Sequence, residues 1–151
     1  MTAIPRAALT LGLAGLLPFA FGAATVLSPA LFDWAVNTVG PRFAGPYVLI
    51  AYGTVILCFM AGVLWGFATK AEGRRAALGY GLSVLPALWA FLFVGGGAAQ
   101  AISALLVGFL ALITLDLQFL LWRLVPPWWL RLRLMLTAGV VICLLAGLSG
   151  T

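Results

Sequence analysis

Residues 98–122 read AAQAISALLVGFLALITLDLQFLLW, an apolar run carrying a single charge, Asp116. A helix needs roughly 20 mainly apolar residues to cross the hydrocarbon core of a bilayer, and this run is long enough. Four other stretches qualify, at residues 7–27, 46–69, 76–94 and 132–148. The composition agrees. Of 151 residues, 65% are apolar and 7% charged, whereas ordinary soluble domains carry about 25% charge. Eight basic and three acidic side chains cannot cover the surface of a soluble protein this size, and low hydrophobicity, the signature of disorder, is absent. The sequence predicts an all-α integral membrane protein: one domain over 1–151, a five-transmembrane-helix bundle with a short interfacial helix between the first two spans.

The connections are short, as between antiparallel neighbours in a bundle. Lys70-Ala71-Glu72-Gly73-Arg74-Arg75 is a polar turn and Gly95-Gly96-Gly97 an uncharged one. Residues 123–131 carry Pro126-Pro127, a pair expected to end the fourth helix. The longer connection, 28–45, opens with Ser28-Pro29, an N-cap followed by proline at the first helical position. Leu31, Trp34, Ala35 and Thr38 share one face and Asp33 and Asn37 the other, so a short amphipathic helix in the membrane interface is predicted, stopped by Gly40-Pro41. An irregular loop anchored by Trp34 is the alternative. Arg6, the apolar run and Gly22-Ala23-Ala24 also fit a cleavable signal peptide; we read the segment as a retained first span.

Charge sets the expected orientation. With five spans, Arg6, Lys70, Arg74, Arg75, Arg123, Arg131 and Arg133 share one side and Arg42 stands alone on the other. Basic residues collect on the cytoplasmic side, so the N-terminus is expected in the cytoplasm and the C-terminus in the periplasm of a bacterial inner membrane. These arginines leave the bilayer beside Trp122, Trp128 and Trp129, which suits lipid head groups as partners and makes nucleic acid an unneeded one.

Few residues can carry chemistry. There is no histidine, and the two cysteines are Cys58 and Cys143. No catalytic residue, metal site or cofactor is expected, and an enzyme is disfavoured because an activated nucleophile needs a base within reach. Asp116 lies seven residues before Arg123, roughly 10 Å inside the boundary. An ionisable group at such depth is costly and marks either a proton- or ion-carrying carboxylate or a pair with an arginine at the start of the fifth helix. Arg131 and Arg133 are about 200° apart on a helix, so at most one can face Asp116, the other being left for lipid phosphate. No second intramembrane acid continues a relay, which favours the structural pair.

Small residues recur at i, i+4, i+8: Cys58, Gly62, Gly66; Gly79, Ser83, Ala87; and Gly139, Cys143, Gly147. Such rows let helices approach closely in lipid. If the second and fifth spans packed through theirs, Cys58 and Cys143 would meet near the midplane as thiols. Pro18 and Pro86 fall inside spans one and three, where a proline bends a helix that its neighbours then accommodate.

Several segments in order resemble a known family. They are Ile4-Pro5-Arg6, Tyr52-Gly53 through Gly62-Val63-Leu64-Trp65-Gly66, Ser83-Val84-Leu85-Pro86, Leu115-Asp116-Leu117, and Trp129-Leu130-Arg131-Leu132-Arg133 with Thr137. Together they are similar to an uncharacterised family of small bacterial and mitochondrial membrane proteins that includes the animal transmembrane protein 69. The resemblance implies a multi-pass inner-membrane protein with Ile4-Pro5-Arg6 retained, supplies no activity, and directs attention to Trp65, Pro86, Asp116 and Arg131. The expected function is a non-enzymatic accessory or assembly protein bound to a larger membrane complex, a bioenergetic one among the candidates. A small oligomeric transporter or channel using Asp116 is the alternative.

Overall fold

Hydrocarbon offers a backbone no hydrogen bonds, so a spanning segment must satisfy its own amides as a helix. The computed structural model, which describes residues 3–151, has that form. Its helices are α1 (Arg6–Ala14), α2 (Leu17–Leu27), α3 (Pro29–Thr38), α4 (Gly45–Ala68), α5 (Gly73–Phe93), α6 (Ala98–Leu121) and α7 (Trp129–Ser149), with a 3-10 turn at Pro41–Phe43. Among the described residues, five segments are long and apolar enough to cross a membrane: α1 with α2, then α4, α5, α6 and α7. The architecture is the expected all-α membrane bundle.

The first span is two helices rather than one. Pro18 has no N–H to offer Ala14, and the chain turns at Gly15 and Leu16, where Leu16 N–H reaches Leu13 O at 3.0 Å. α5, by contrast, runs through the buried Pro86 without interruption. Both halves of the first span touch α7, and only the second half also packs along α4. α2 lies between α4 and α7, and α1 lies against α7, where Leu136 and Leu132 crowd Gly12.

Helix ends corrected the expected boundaries. α5 starts at Gly73 instead of 76, because Gly73 takes a left-handed φ of +54° that turns the chain into the helix at once. α7 likewise starts at Trp129 instead of 132, its amide taking the Pro126 carbonyl at 3.0 Å. The proline pair does not end α6. That helix closes at Arg123, a non-glycine residue with φ +59°. Arg123 N–H bonds Leu120 O at 2.9 Å and Leu124 N–H bonds Phe119 O at 3.0 Å. This paired pattern satisfies the last carbonyls and folds Leu124 back onto the buried Phe119.

α3 forms as read. Ser28 Oγ accepts from Leu31 N–H at 3.4 Å, and proline opens the helix. Its inward contacts differ from the expected face, since Ala35 is fully buried while Trp34 is 52% exposed. Phe32 supplies the packing instead, its ring filling the space a side chain at Gly45 would need, and Gly45 also takes a left-handed φ of +59°. Thr25 then ties this corner together. Its hydroxyl donates to Gly22 O at 2.8 Å and accepts from Gly45 N–H at 2.9 Å.

Small residues set the close approaches, some of them in the expected rows (Gly79, Gly139 and Gly147) and some outside them. Gly22 lies under Val48 and Leu49, Gly53 under Leu105, and Gly79 against Ala68. On α5 the buried row is Gly79, Ser83, Pro86 and Ala90, and on α4 it includes Leu57, Ala61, Leu64 and Ala68. Both show the 4-3-4 spacing of left-handed helix pairs, and α4 with α5 forms the largest interface. Gly62 and Gly66 meet nothing, Gly139 sits on Leu16, and Gly147 sits on Leu49 and Ile102. Spans two and five therefore do not pack through the Cys58 and Cys143 rows, which removes the reason for those half-buried free thiols to meet. The physical cause is that a glycine row only permits contact, and the bulky residues beside it decide the partner.

This packing makes a direct prediction. A Cβ at Gly22 would lie 2.7 Å from Val48 Cγ1, whereas one at Gly62 meets no atom within 4 Å. Gly22→Leu is expected to destabilise the detergent-solubilised protein by about 1–3 kcal/mol or more. Gly62→Leu should leave its thermal unfolding midpoint unchanged or slightly raised.

Candidate functional site

Asp116 sits five residues before the end of α6 and Arg133 four residues after the start of α7, so both lie about 6–8 Å inside their helices at a rise of about 1.5 Å per residue. The turn at Arg123 brings these two helix ends side by side. Asp116 is 1% exposed and Arg133 4%. Arg133 Nε donates to Asp116 Oδ2 at 2.9 Å, the one ion pair among the described residues. Trp129 Nε1 donates to Asp116 Oδ1 at 2.7 Å. Both carboxylate oxygens are therefore engaged. Arg131, about 200° away, is exposed as the helical geometry requires.

Sequence reasoning placed Trp129 in the interfacial belt and missed this bond. The signal was available, because Trp129 precedes Arg133 by four residues and shares its face. The same indole lies edge-on to Phe67 of α4, ring centroids 5.0 Å apart, so α4, α6 and α7 converge on one carboxylate. Lys70 closes the end of the bundle nearby. Its Nζ donates to Leu124 O at 3.3 Å and lies 5.0 Å from the Phe67 ring centre.

The other residues singled out by sequence lie elsewhere. Trp65 is about half exposed on α4 and leans on Tyr80 of α5 with ring centroids 4.6 Å apart. Pro86 is buried in α5, one turn before Trp89, whose Nε1 donates to Ala104 O at 2.8 Å and whose ring covers Gly108. Cys58 and Cys143 are free. The described residues bring no three His, Cys, Asp or Glu side chains together, so no residue set suited to holding a metal stands out.

Chemically, the cluster is a neutral clamp. In a low-dielectric interior, charge attraction is strong but desolvation costs as much, and the larger penalty falls on breaking one side of the pair. Asp116→Leu alone should destabilise the protein by about 3–5 kcal/mol. Asp116→Leu with Arg133→Leu should recover most of that loss, read as folded fraction and unfolding midpoint in detergent. A double variant no better than the single one would mean that the two charges act separately.

The family described as "Protein of unknown function (DUF3429)" matches residues 4–149. Transmembrane protein 69 of Xenopus tropicalis is 33% identical over 148 residues, covering 95% of this chain and 54% of that protein. The chain thus spans about half the length of that relative. No solved structure matches. With nearly its whole length matched and five apolar helices in one bundle, the chain belongs to the DUF3429 family and is a multi-pass membrane protein.

Proposed function

We propose that this protein is a non-enzymatic accessory or assembly factor of the bacterial inner membrane that docks, within the bilayer, on a larger membrane protein complex. The observation that carries this reading is the open row on α4. Gly62 and Gly66 stand four residues apart, and a Cβ added at either would meet no atom of the protein within 4 Å, while Trp65 and Tyr80 form an aromatic pair beside them. At the close approaches inside the bundle, such as Gly22, Gly53 and Gly108, a bulky neighbour occupies that space. In lipid, where no hydrophobic drive brings helices together, a glycine pair of this spacing lets another helix approach closely.

The polar interior supports a structural role. Asp116 has both oxygens engaged, and Arg133 and Trp129 are its donors, which leaves a transport role for that carboxylate without a supporting observation. Arg6, Lys70, Arg74, Arg75, Arg123 and Arg131 gather at one end of the bundle, with Arg42 at the other. That asymmetry supports a cytoplasmic N-terminus and a periplasmic C-terminus, with anionic lipid head groups as partners of the basic end.

Affinity purification of a tagged chain from native membranes in mild detergent tests the proposal. A larger membrane complex is expected to co-purify, and the Gly62→Leu, Gly66→Leu double variant is expected to lose it while keeping its own unfolding midpoint. Recovery of the parent chain only as a free monomer or homo-oligomer contradicts the reading.

A further inference from the structure

The break in the first span opens space. Between α1 and α4 lies a cavity of about 310 Å³, floored by Phe109 of α6 and bordered by α7. Its rim residues Leu11 and Phe59 are 74% and 60% exposed. Both sit well inside their helices, so the mouth opens sideways toward the hydrocarbon. A volume of this order suits the head of a small ligand.

The lining is apolar except along α7, where Arg133 and Thr137 stand one turn apart. Both are more than nine-tenths buried, at 4% and 5% exposure. Arg133 Nη2 and Thr137 Oγ1 are also the buried side-chain polar atoms without a hydrogen-bond partner among the described residues. The threonine is the more informative of the two. Hydroxyls in apolar helices ordinarily turn back to a carbonyl three or four residues earlier. Thr25, Thr54, Ser83 and Thr114 all do so, at 2.6–2.8 Å. Thr137 does not. Buried polar groups without partners are rare and call for one.

We propose that this cavity binds an apolar membrane molecule whose polar end is a neutral carbonyl, held by Arg133 Nη2 and the Thr137 hydroxyl. The charge balance selects the head group. Asp116 already neutralises Arg133 through Nε, so an anionic head would bring an uncompensated negative charge into a site lined by hydrocarbon. A carbonyl oxygen accepts from both orphaned groups and adds no charge, while an apolar body fills the cavity and leaves through the mouth between Leu11 and Phe59. Isoprenoid quinones and ester-linked acylglycerols share this chemistry. Gly62 and Gly66 do not line the cavity, although Phe59 at its mouth lies one turn before Gly62 on the same side of α4, so the two proposals are separated by their variants, Thr137→Val for the cavity and Gly62→Leu with Gly66→Leu for docking.

The test uses the full chain in nanodiscs of ether-linked phosphatidylcholine, which carry no ester carbonyl, titrated separately with decylubiquinone, dioctanoylglycerol and ionised oleate. Saturable one-to-one binding of decylubiquinone, dioctanoylglycerol or both is expected, and which of them binds identifies the source of the carbonyl. Thr137→Val should weaken that binding about five- to tenfold, the worth of one net hydrogen bond. It should also leave the ligand-free unfolding midpoint unchanged or higher, because the lost hydroxyl had no partner. Arg133→Lys, which keeps a charge for Asp116 and removes Nη2, should weaken binding as well. The proposal is overturned if neither neutral probe binds, if Thr137→Val leaves their binding intact, if oleate alone binds, or if Thr137→Val lowers the ligand-free midpoint.

Discussion

A carboxylate and a guanidinium 2.9 Å apart, both shut away from water, hold the ends of α6 and α7 in register. Neither charge is tolerable alone at that depth, since desolvation disfavours each and only the partner offsets it. The demand for the other partner therefore fixes the rotation of both helices about their axes. It directs Arg133 inward and Arg131 outward, and it sets Trp129 over the second carboxylate oxygen. Phe67 then follows Trp129, which brings α4 to the same point. Three of the five spans are oriented by one polar contact, in a solvent where apolar packing by itself distinguishes poorly between one helix face and another.

The remaining spans are placed by size rather than charge. Gly22, Gly53 and Gly79 are among the positions at which a neighbour's side chain occupies the volume a Cβ would need. Thr25 adds a polar stitch between α2 and the start of α4. Pro18 has the opposite effect, since the hydrogen bond it removes frees α1 from the line of α2 and creates the lateral cavity. Rigidity at one end of the bundle and an opening along its flank thus arise from two local features, an ion pair and a proline.

Much of this could be read from residue order alone, for identifiable reasons. Hydropathy over about twenty residues gives the spans because the thickness of a bilayer is a long-range constraint. The ends of α5, α6 and α7 moved by up to three residues because local backbone preferences decide them. No composition rule announces that Arg123 will adopt a left-handed φ normally reserved for glycine. The pairing of Asp116 with one arginine follows from about 100° per residue, and the same arithmetic applied to Trp129 would have found the second donor. The glycine rows misled for a physical reason: Gly62 and Gly139 look alike in sequence, and only the placement of Leu16 separates a packed glycine from an open one. Thr137 stands among the residues that carry the family resemblance, but the missing partner of its hydroxyl has no signature in residue order, because a threonine in an apolar helix normally satisfies itself.

The clamp is most directly examined by solid-state nuclear magnetic resonance of the chain in lipid bilayers, with labelled arginine and aspartate. The account predicts a through-space correlation between Arg133 Nε–H and the Asp116 side-chain carboxyl carbon, with the Nε proton protected from exchange with water. An Arg133 Nε–H that exchanges freely and shows no correlation to Asp116 would contradict it.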